Sequence, residues 1–111
     1  MRHHNYFVYI ISNPKRTTLY TGVTNNLEQR LVEHYMNRGQ KATFAGRYHC
    51  YELLYFEWFK DINQAIKWEK TIKGWRREKK LNLIKERNPN LASLNKQVTA
   101  WPPTPDRRVH R

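Results

Sequence analysis

Cysteine, glycine and acidic residues are all scarce in this chain. Its 111 residues hold one cysteine, four glycines and nine Asp and Glu, against 21 Lys and Arg. A lone cysteine, Cys50, allows no internal disulfide, which fits a reducing compartment. One cysteine with scattered histidines also gives no zinc-ligand spacing, and there is no phosphate-binding loop of the G-x-x-x-x-G-K type. No apolar run approaches the roughly 20 residues of a membrane-spanning helix. The start, MRHHNYFVYII, lacks the apolar core and small-residue cleavage site of a signal peptide. A cytoplasmic protein with no membrane partner is therefore expected. There are no internal repeats. The length argues for one domain, and 39% apolar content with four Trp, seven Tyr and four Phe suffices for one modest core.

The charge is the first positive signal. A formal net charge of +12 on so small a chain points to a polyanionic partner. Nucleic acid is the first candidate, ahead of an anionic membrane surface and of a basic protein with no such partner.

The residue pattern orders the chain as β-β-α-β-α-α. YFVYII and TLYTGVT are short apolar and aromatic runs joined by the turn-rich Ser12-Asn13-Pro14-Lys15-Arg16, which predicts strand, turn, strand. Period two places Phe7, Tyr9 and Ile11 on one strand face. Gly22 inside the second strand marks a bulge or the close approach of another backbone or a ligand. Asn25 with Glu28 has the shape of a capping box, opening a helix to about Asn37 or Arg38 with Gly39 as its C′ residue. Leu27, Leu31 and Tyr35 form that helix's apolar stripe, and Arg30 and His34 fall beside it, one turn apart. Gln40 to His49 reads as a basic loop, and CYELLYFEWFK as a third strand. Asp61 is the expected N-cap of a helix from about Ile62 to Trp75, broken at Gly74, with Ile62, Ala65, Ile66 and Ile72 as its apolar stripe. A last helix, roughly Arg77 to Glu86, buries Leu81, Leu83 and Ile84 and stops at Asn88-Pro89, after which Leu91 and Leu94 pack back. The fold class is α/β: a small, mainly antiparallel three-stranded sheet flanked by helices. Residues 1–96 form the domain. Residues 97–111, with three of the five prolines, read as a disordered basic tail.

Glu69 projects into the middle of an apolar stripe, where an unpaired carboxylate is costly. Either a nearby Lys or Arg neutralises it, or a metal does. Arg30 likewise has two readings, a packed stem with a snorkelling head or a guanidinium aimed into a cleft. Tyr9 on spacing alone is a core aromatic.

The ordered set of Tyr9, Tyr20-x-Gly22, Arg30, His34 and a later helical glutamate resembles the GIY-YIG nuclease family, over roughly residues 5 to 95. Phe7-Val8-Tyr9 stands for the first tripeptide and Tyr20-Thr21-Gly22 for the second, so the leading Gly and Ile are Phe and Val here and the second Ile is Thr. His34 is similar to a histidine of the small stand-alone members. The resemblance implies the fold above and a catalytic set of Tyr9, Tyr20, Arg30, His34, Glu69 and Asn88, with Asn95 and Asn82 as rivals for the asparagine. It further implies that Glu69 holds Mg²⁺ (or Mn²⁺) with water and substrate oxygens completing the shell. In this scheme Arg30 stabilises the scissile phosphate and Tyr9 positions or deprotonates the attacking water. A tyrosine pKa near ~10 has to be lowered by Arg30 or the metal for the second role. Tyr20 and His34 orient water or shuttle protons.

Lys41, Arg47, Lys73, Trp75, Arg76, Arg77, Lys79 and Lys80 are the candidate nucleic-acid contacts, Trp75 among the cations suggesting a stacking partner beside a phosphate backbone. Arg107, Arg108 and Arg111 are expected to add weak affinity. The sequence thus points to a metal-dependent endonuclease cutting DNA, with RNA left open. The alternative is a nucleic-acid-binding module on the same fold with little or no catalysis.

Overall fold

The structure, a computed structural model, describes residues 5–103; His3, His4, Arg107, Arg108 and Arg111 lie outside them. Three strands form one sheet: β1 (Tyr6–Ser12), β2 (Leu19–Thr24) and β3 (Glu52–Phe59). β1 is central, antiparallel to β2 on one side and to β3 on the other. The helices are α1 (Leu27–Met36), α2 (Phe44–Arg47), α3 (Ile62–Lys73), α4 (Arg77–Lys85) and α5 (Asn95–Val98). The α/β architecture is the one the sequence pattern predicts, with two short helices added.

Val8, Tyr9, Ile10 and Ile11 are all inaccessible to solvent, because the central strand is covered on both faces. Alternation sorts them. Val8 and Ile10 join Leu54, Ala65, Ile72 and Ile84 in a core beneath α3 and α4. Tyr9 and Ile11 join Leu27, Leu31, Ala45, Cys50 and Leu53 in a second core beneath α1 and α2. Burying side chains of this size contributes about 1.5–3 kcal/mol each, so the two layers fix the register of β1 strongly.

Several local details differ from expectation. The N-cap of α1 is Asn26, whose side chain accepts from Gln29 N; Asn25 lies one residue outside. The helix ends at Met36 with Asn37 as C-cap, so Gly39, at φ +87°, is the left-handed residue of the following turn. The basic stretch after it is folded, not a plain loop. Thr43 caps α2 by accepting from Gly46 N at 3.0 Å. Gly46 is packed so closely that a Cβ there would meet Gln40 O at 2.5 Å and Asn37 O at 2.8 Å. Ile62, placed on the α3 stripe by spacing, is exposed, while Asp61 caps α3 and Gly74 ends it as expected.

Residues beyond 96 continue the fold as far as they are described. Val98 and Trp101 pack on the second core, and Trp101 meets Tyr35 edge-on at 5.1 Å. The segment from Arg87 to Asn95 runs along the outer edge of β3. Leu94 N donates to Leu53 O, Asn95 Oδ1 accepts from Leu53 N, and Asn95 Nδ2 donates to Tyr51 O.

Candidate active site

Tyr9 and Gly22 are directly paired across β1 and β2. The Tyr9 ring lies over Gly22, where a Cβ would meet the hydroxyl at 2.5 Å and Cζ at 2.6 Å. The glycine in the strand is therefore the space the tyrosine occupies. Its hydroxyl reaches α1, where it is hydrogen-bonded to His34 Nε2 at 2.9 Å. The rings of Tyr9, Tyr20 and His34 form a triangle with centroids 5.6 to 6.5 Å apart. Arg30, one turn before His34, faces the same place, steadied by Glu33 at 3.1 Å from its Nε. Tyr20, Arg30, Glu33, His34, Asn37, Thr43, Phe44 and Ala45 line a cavity of about 230 Å³.

The electrostatics follow from burial. Tyr9 is pushed well above the ordinary phenol range, first by desolvation and then by Tyr20; Arg30 pulls the other way and loses. His34 is lowered to about 4, by burial first and by Arg30 second, so it is neutral at pH 7. Burial is the largest influence on Arg30 and opposes its charge, but Tyr9, Glu33 and Tyr20 together outweigh it, and its pKa is raised. Tyr9 is thus a neutral phenol held against a neutral imidazole, not the acidified tyrosine that a direct base role requires.

Glu69 enters from α3 with its side chain 9% exposed, paired to Lys73 Nζ at 2.6 Å. Lys73 in turn lies 5.9 Å from the Tyr20 ring centroid, which links the carboxylate to the tyrosine cluster. Glu69 raises the Lys73 pKa through this hydrogen bond, against the effect of burial. Among the described residues no three His, Cys, Asp or Glu side chains gather round one point. The donor chemistry fits a hard divalent ion bound by one carboxylate and otherwise by water and substrate oxygens. The Lys73 ammonium already stands as the cation on that carboxylate.

Four side chains from three elements in this order can be weighed against known proteins. The GIY-YIG catalytic domain family matches residues 5–82. The chain belongs to the GIY-YIG family. Its relatives include a UPF0213 protein of Staphylococcus saprophyticus, 37% identical over 81 residues, which span 73% of this chain and 95% of that one. A UPF0213 protein of Staphylococcus aureus strain Mu3 is 39% identical over 83 residues, 75% of this chain and 98% of that one. Among solved structures, the solution structure of a UPF0213 protein of Bacillus halodurans aligns with a TM-score of 0.51 and 28% identity, covering 86% of this chain and 99% of the other. The family match points to an endonuclease superfamily acting on nucleic acid.

Other expected site residues are placed differently. Asn88 is apart from the GIY-YIG cluster and lines a separate cavity with Leu54, Tyr55 and Arg87. Its amide is spent on backbone: Nδ2 donates to Leu54 O and Ala92 O, and Oδ1 accepts from Ala92 N. Asn95 is likewise consumed by β3, and Asn82 is exposed on α4. The asparagines here hold the chain's end in place.

The basic patch divides. Lys41 and Arg47 are exposed beside α2, and Lys73 stands at the site. Trp75 is not a free stacking surface: it packs on the first core, meets Trp68 edge-on at 5.4 Å and carries Lys79 Nζ 4.5 Å over its ring. Arg77 donates to Thr17 O and Arg16 O, pinning the β1–β2 connector, with Lys80 next to it along Thr17, Thr18 and Leu19. Arg76 is the exposed N-cap of α4. Sequence reasoning missed Glu33, Thr43 and Phe44. The available signal was Thr43 three residues before Gly46, and a phenylalanine inside an otherwise polar stretch.

Proposed function

We propose that the protein is a divalent-metal-dependent endonuclease that hydrolyses DNA phosphodiester bonds at the cavity between α1, β2 and α2. The observation that carries this is the Tyr9–His34 hydrogen bond with Arg30 and Tyr20 around it. A buried tyrosine hydroxyl and a half-buried imidazole opening on one guanidinium cost folding energy and are of use where a phosphate arrives.

Arg30 binds the scissile phosphate and takes up the charge that grows on its oxygens. Tyr20 orients the attacking water. That water adds to phosphorus and gives its proton to the Tyr9–His34 pair, entering on the side of His34, which lines the cavity while Tyr9 is closed to solvent. The buried imidazole is a weak base alone; the phosphate's negative charge beside it raises its proton affinity. The phosphorus–oxygen bond to the leaving strand breaks, and the leaving oxygen takes a proton from solvent. Glu69 would hold Mg²⁺ or Mn²⁺, and the ion would supply Lewis-acid stabilisation of the phosphate oxygens. With the carboxylate taken by that ion, the Lys73 ammonium would be available to the DNA backbone.

The test is cleavage of plasmid and branched DNA with Mg²⁺ or Mn²⁺ by the wild type, Glu69→Ala and Arg30→Ala. Metal-dependent cutting lost in both variants is the expected result; cutting that survives in both overturns it. The Glu69–Lys73 ion pair also favours a second reading, a nucleic-acid-binding module whose carboxylate is permanently neutralised. Salt-sensitive binding with no cutting of any substrate selects it.

A further inference from the structure

Large apolar side chains are normally withdrawn from water, and aromatic rings left exposed side by side call for a partner. Phe44 and Tyr48 are 47% and 43% exposed. They stand four residues apart across α2 and its C-cap, and so share a face. Their rings are 4.8 Å apart, and Phe44 is stacked on Tyr20 at 6.2 Å and 25°. The three rings make a ladder that starts inside the cavity and ends at the surface. Trp58, also exposed, differs: its indole N–H is bonded to Asn5 Oδ1 and it is not among the residues lining the cavity.

The surroundings select the partner's charge. From His34 to Tyr51 there is no Asp or Glu, while Arg38, Lys41 and Arg47 all fall in this span. Lys41 and Arg47 are exposed beside the ladder, and Arg47 donates to Lys41 O at 3.4 Å. The backbone below is fixed. Gly39 N donates to Gly46 O at 2.8 Å, Cys50 N donates to Ala45 O at 2.8 Å, and Gly46 leaves no room for α2 to shift towards Asn37 and Gln40. Rings on a rigid support lose little freedom when something stacks on them.

We infer that Phe44 and Tyr48 are a stacking platform for unpaired bases, so that the strand presented to the cavity is single-stranded DNA. A duplex meets a protein through its phosphates and groove edges, and its base faces are covered by their neighbours. An unpaired strand offers both a phosphate for Arg30 and a base face for the ring next to it, and Phe44 lines the same cavity as Arg30. The inference rests on the nuclease reading only for DNA as the strand; the platform itself is a binding device.

Fluorescence anisotropy in metal-free buffer with EDTA tests it, using one labelled DNA strand, its duplex, and the RNA strand of the same sequence. The wild type should bind the DNA single strand more tightly than the duplex. Phe44→Leu with Tyr48→Leu, which keeps apolar cover over Tyr20, should weaken single-strand binding about tenfold and duplex binding hardly at all, as the loss of one stacked base predicts. A 2-aminopurine in the strand should be quenched by the wild type and not by this variant. Phe44→Trp, a second variant that retains the ring, should keep the preference; a thermal melt checks that each variant is folded. Equal wild-type affinity for strand and duplex, equal losses on both, or no loss on either would overturn the platform. Tighter binding of the RNA strand would overturn single-stranded DNA as its occupant. The platform is read by binding in EDTA and the nuclease reading by metal-dependent cleavage, so failure of one and failure of the other are told apart.

Discussion

The Tyr9 hydroxyl and His34 Nε2 lie 2.9 Å apart, joining the central strand to the helix that carries Arg30. Both partners are neutral at pH 7 because burial disfavours their charged forms, raising the tyrosine and lowering the histidine to about 4. Each group holds the other in a fixed orientation without fixing where their shared proton sits.

His34 should make stability fall in acid. Its folded pKa lies below the unfolded value of about 6.5, so the unfolded chain binds the extra proton first. Its contribution is complete above that value and is lost as pH falls towards about 4. Melting temperatures of wild type and His34→Gln from pH 7.5 down to pH 4 should therefore converge, the wild type falling more steeply; parallel curves would refute the assignment.

Gly22→Ala should do more damage than an ordinary strand substitution. The new methyl would sit 2.5 Å from the Tyr9 hydroxyl, and the ring has no space in a buried strand to retreat. Overpacking of this kind costs about 1–3 kcal/mol. Denaturant titration should show that loss, and any cleavage activity should fall with it because Tyr9 is moved off His34.

Lys73→Met should tighten cation binding at Glu69. The ion must displace an ammonium 2.6 Å from the carboxylate, and Lys73 is half exposed, so the gain is limited to about fivefold, a partly solvated ion pair contributing about 1 kcal/mol. Mn²⁺ titration followed by electron paramagnetic resonance reads it directly, with Glu69→Gln as the variant that loses binding. Weaker Mn²⁺ binding in Lys73→Met would mean that the lysine supports the site instead of competing for it.

Asn88→Ala should separate stability from chemistry. Of its three side-chain hydrogen bonds to backbone one is buried and two are part-buried, and losing them costs roughly 2–3 kcal/mol. Activity per folded molecule should remain within about threefold of wild type at a temperature well below melting, a factor that corresponds to under 1 kcal/mol. A large loss of turnover in a fully folded variant would restore Asn88 to the catalytic set.

The sequence was most legible where one residue answers to one physical demand. Gly22 signalled the close approach of a backbone or a ligand, and what approaches is instead the Tyr9 side chain. Glu69 in an apolar stripe demanded a cation, and Lys73 supplies one. Period two sorted β1 correctly between two cores. What stayed hidden depended on partners far along the chain. The polarity of Gln40 to His49 hid a helical turn held by Gly46 against Gln40 and Asn37. Trp75 among cations looked like a surface ring, but Trp68, seven residues earlier, draws it inwards. The depth at which Tyr9 is buried, which decides its pKa, is a property of three packed elements and of no local pattern.

The Asn88 and Asn95 contacts bear on more than the position of the chain's end. β3 is an outer strand, and an unpaired strand edge is a template on which another chain can add itself. The backbone of Tyr51, Leu53, Leu54 and Phe56 is instead hydrogen-bonded by the side chains of Arg87, Asn88 and Asn95 and by the backbone of Leu94. The segment that follows α4 acts as a selvedge that keeps the sheet from growing, and a chain cut short before Asn88 would bare that edge to other chains.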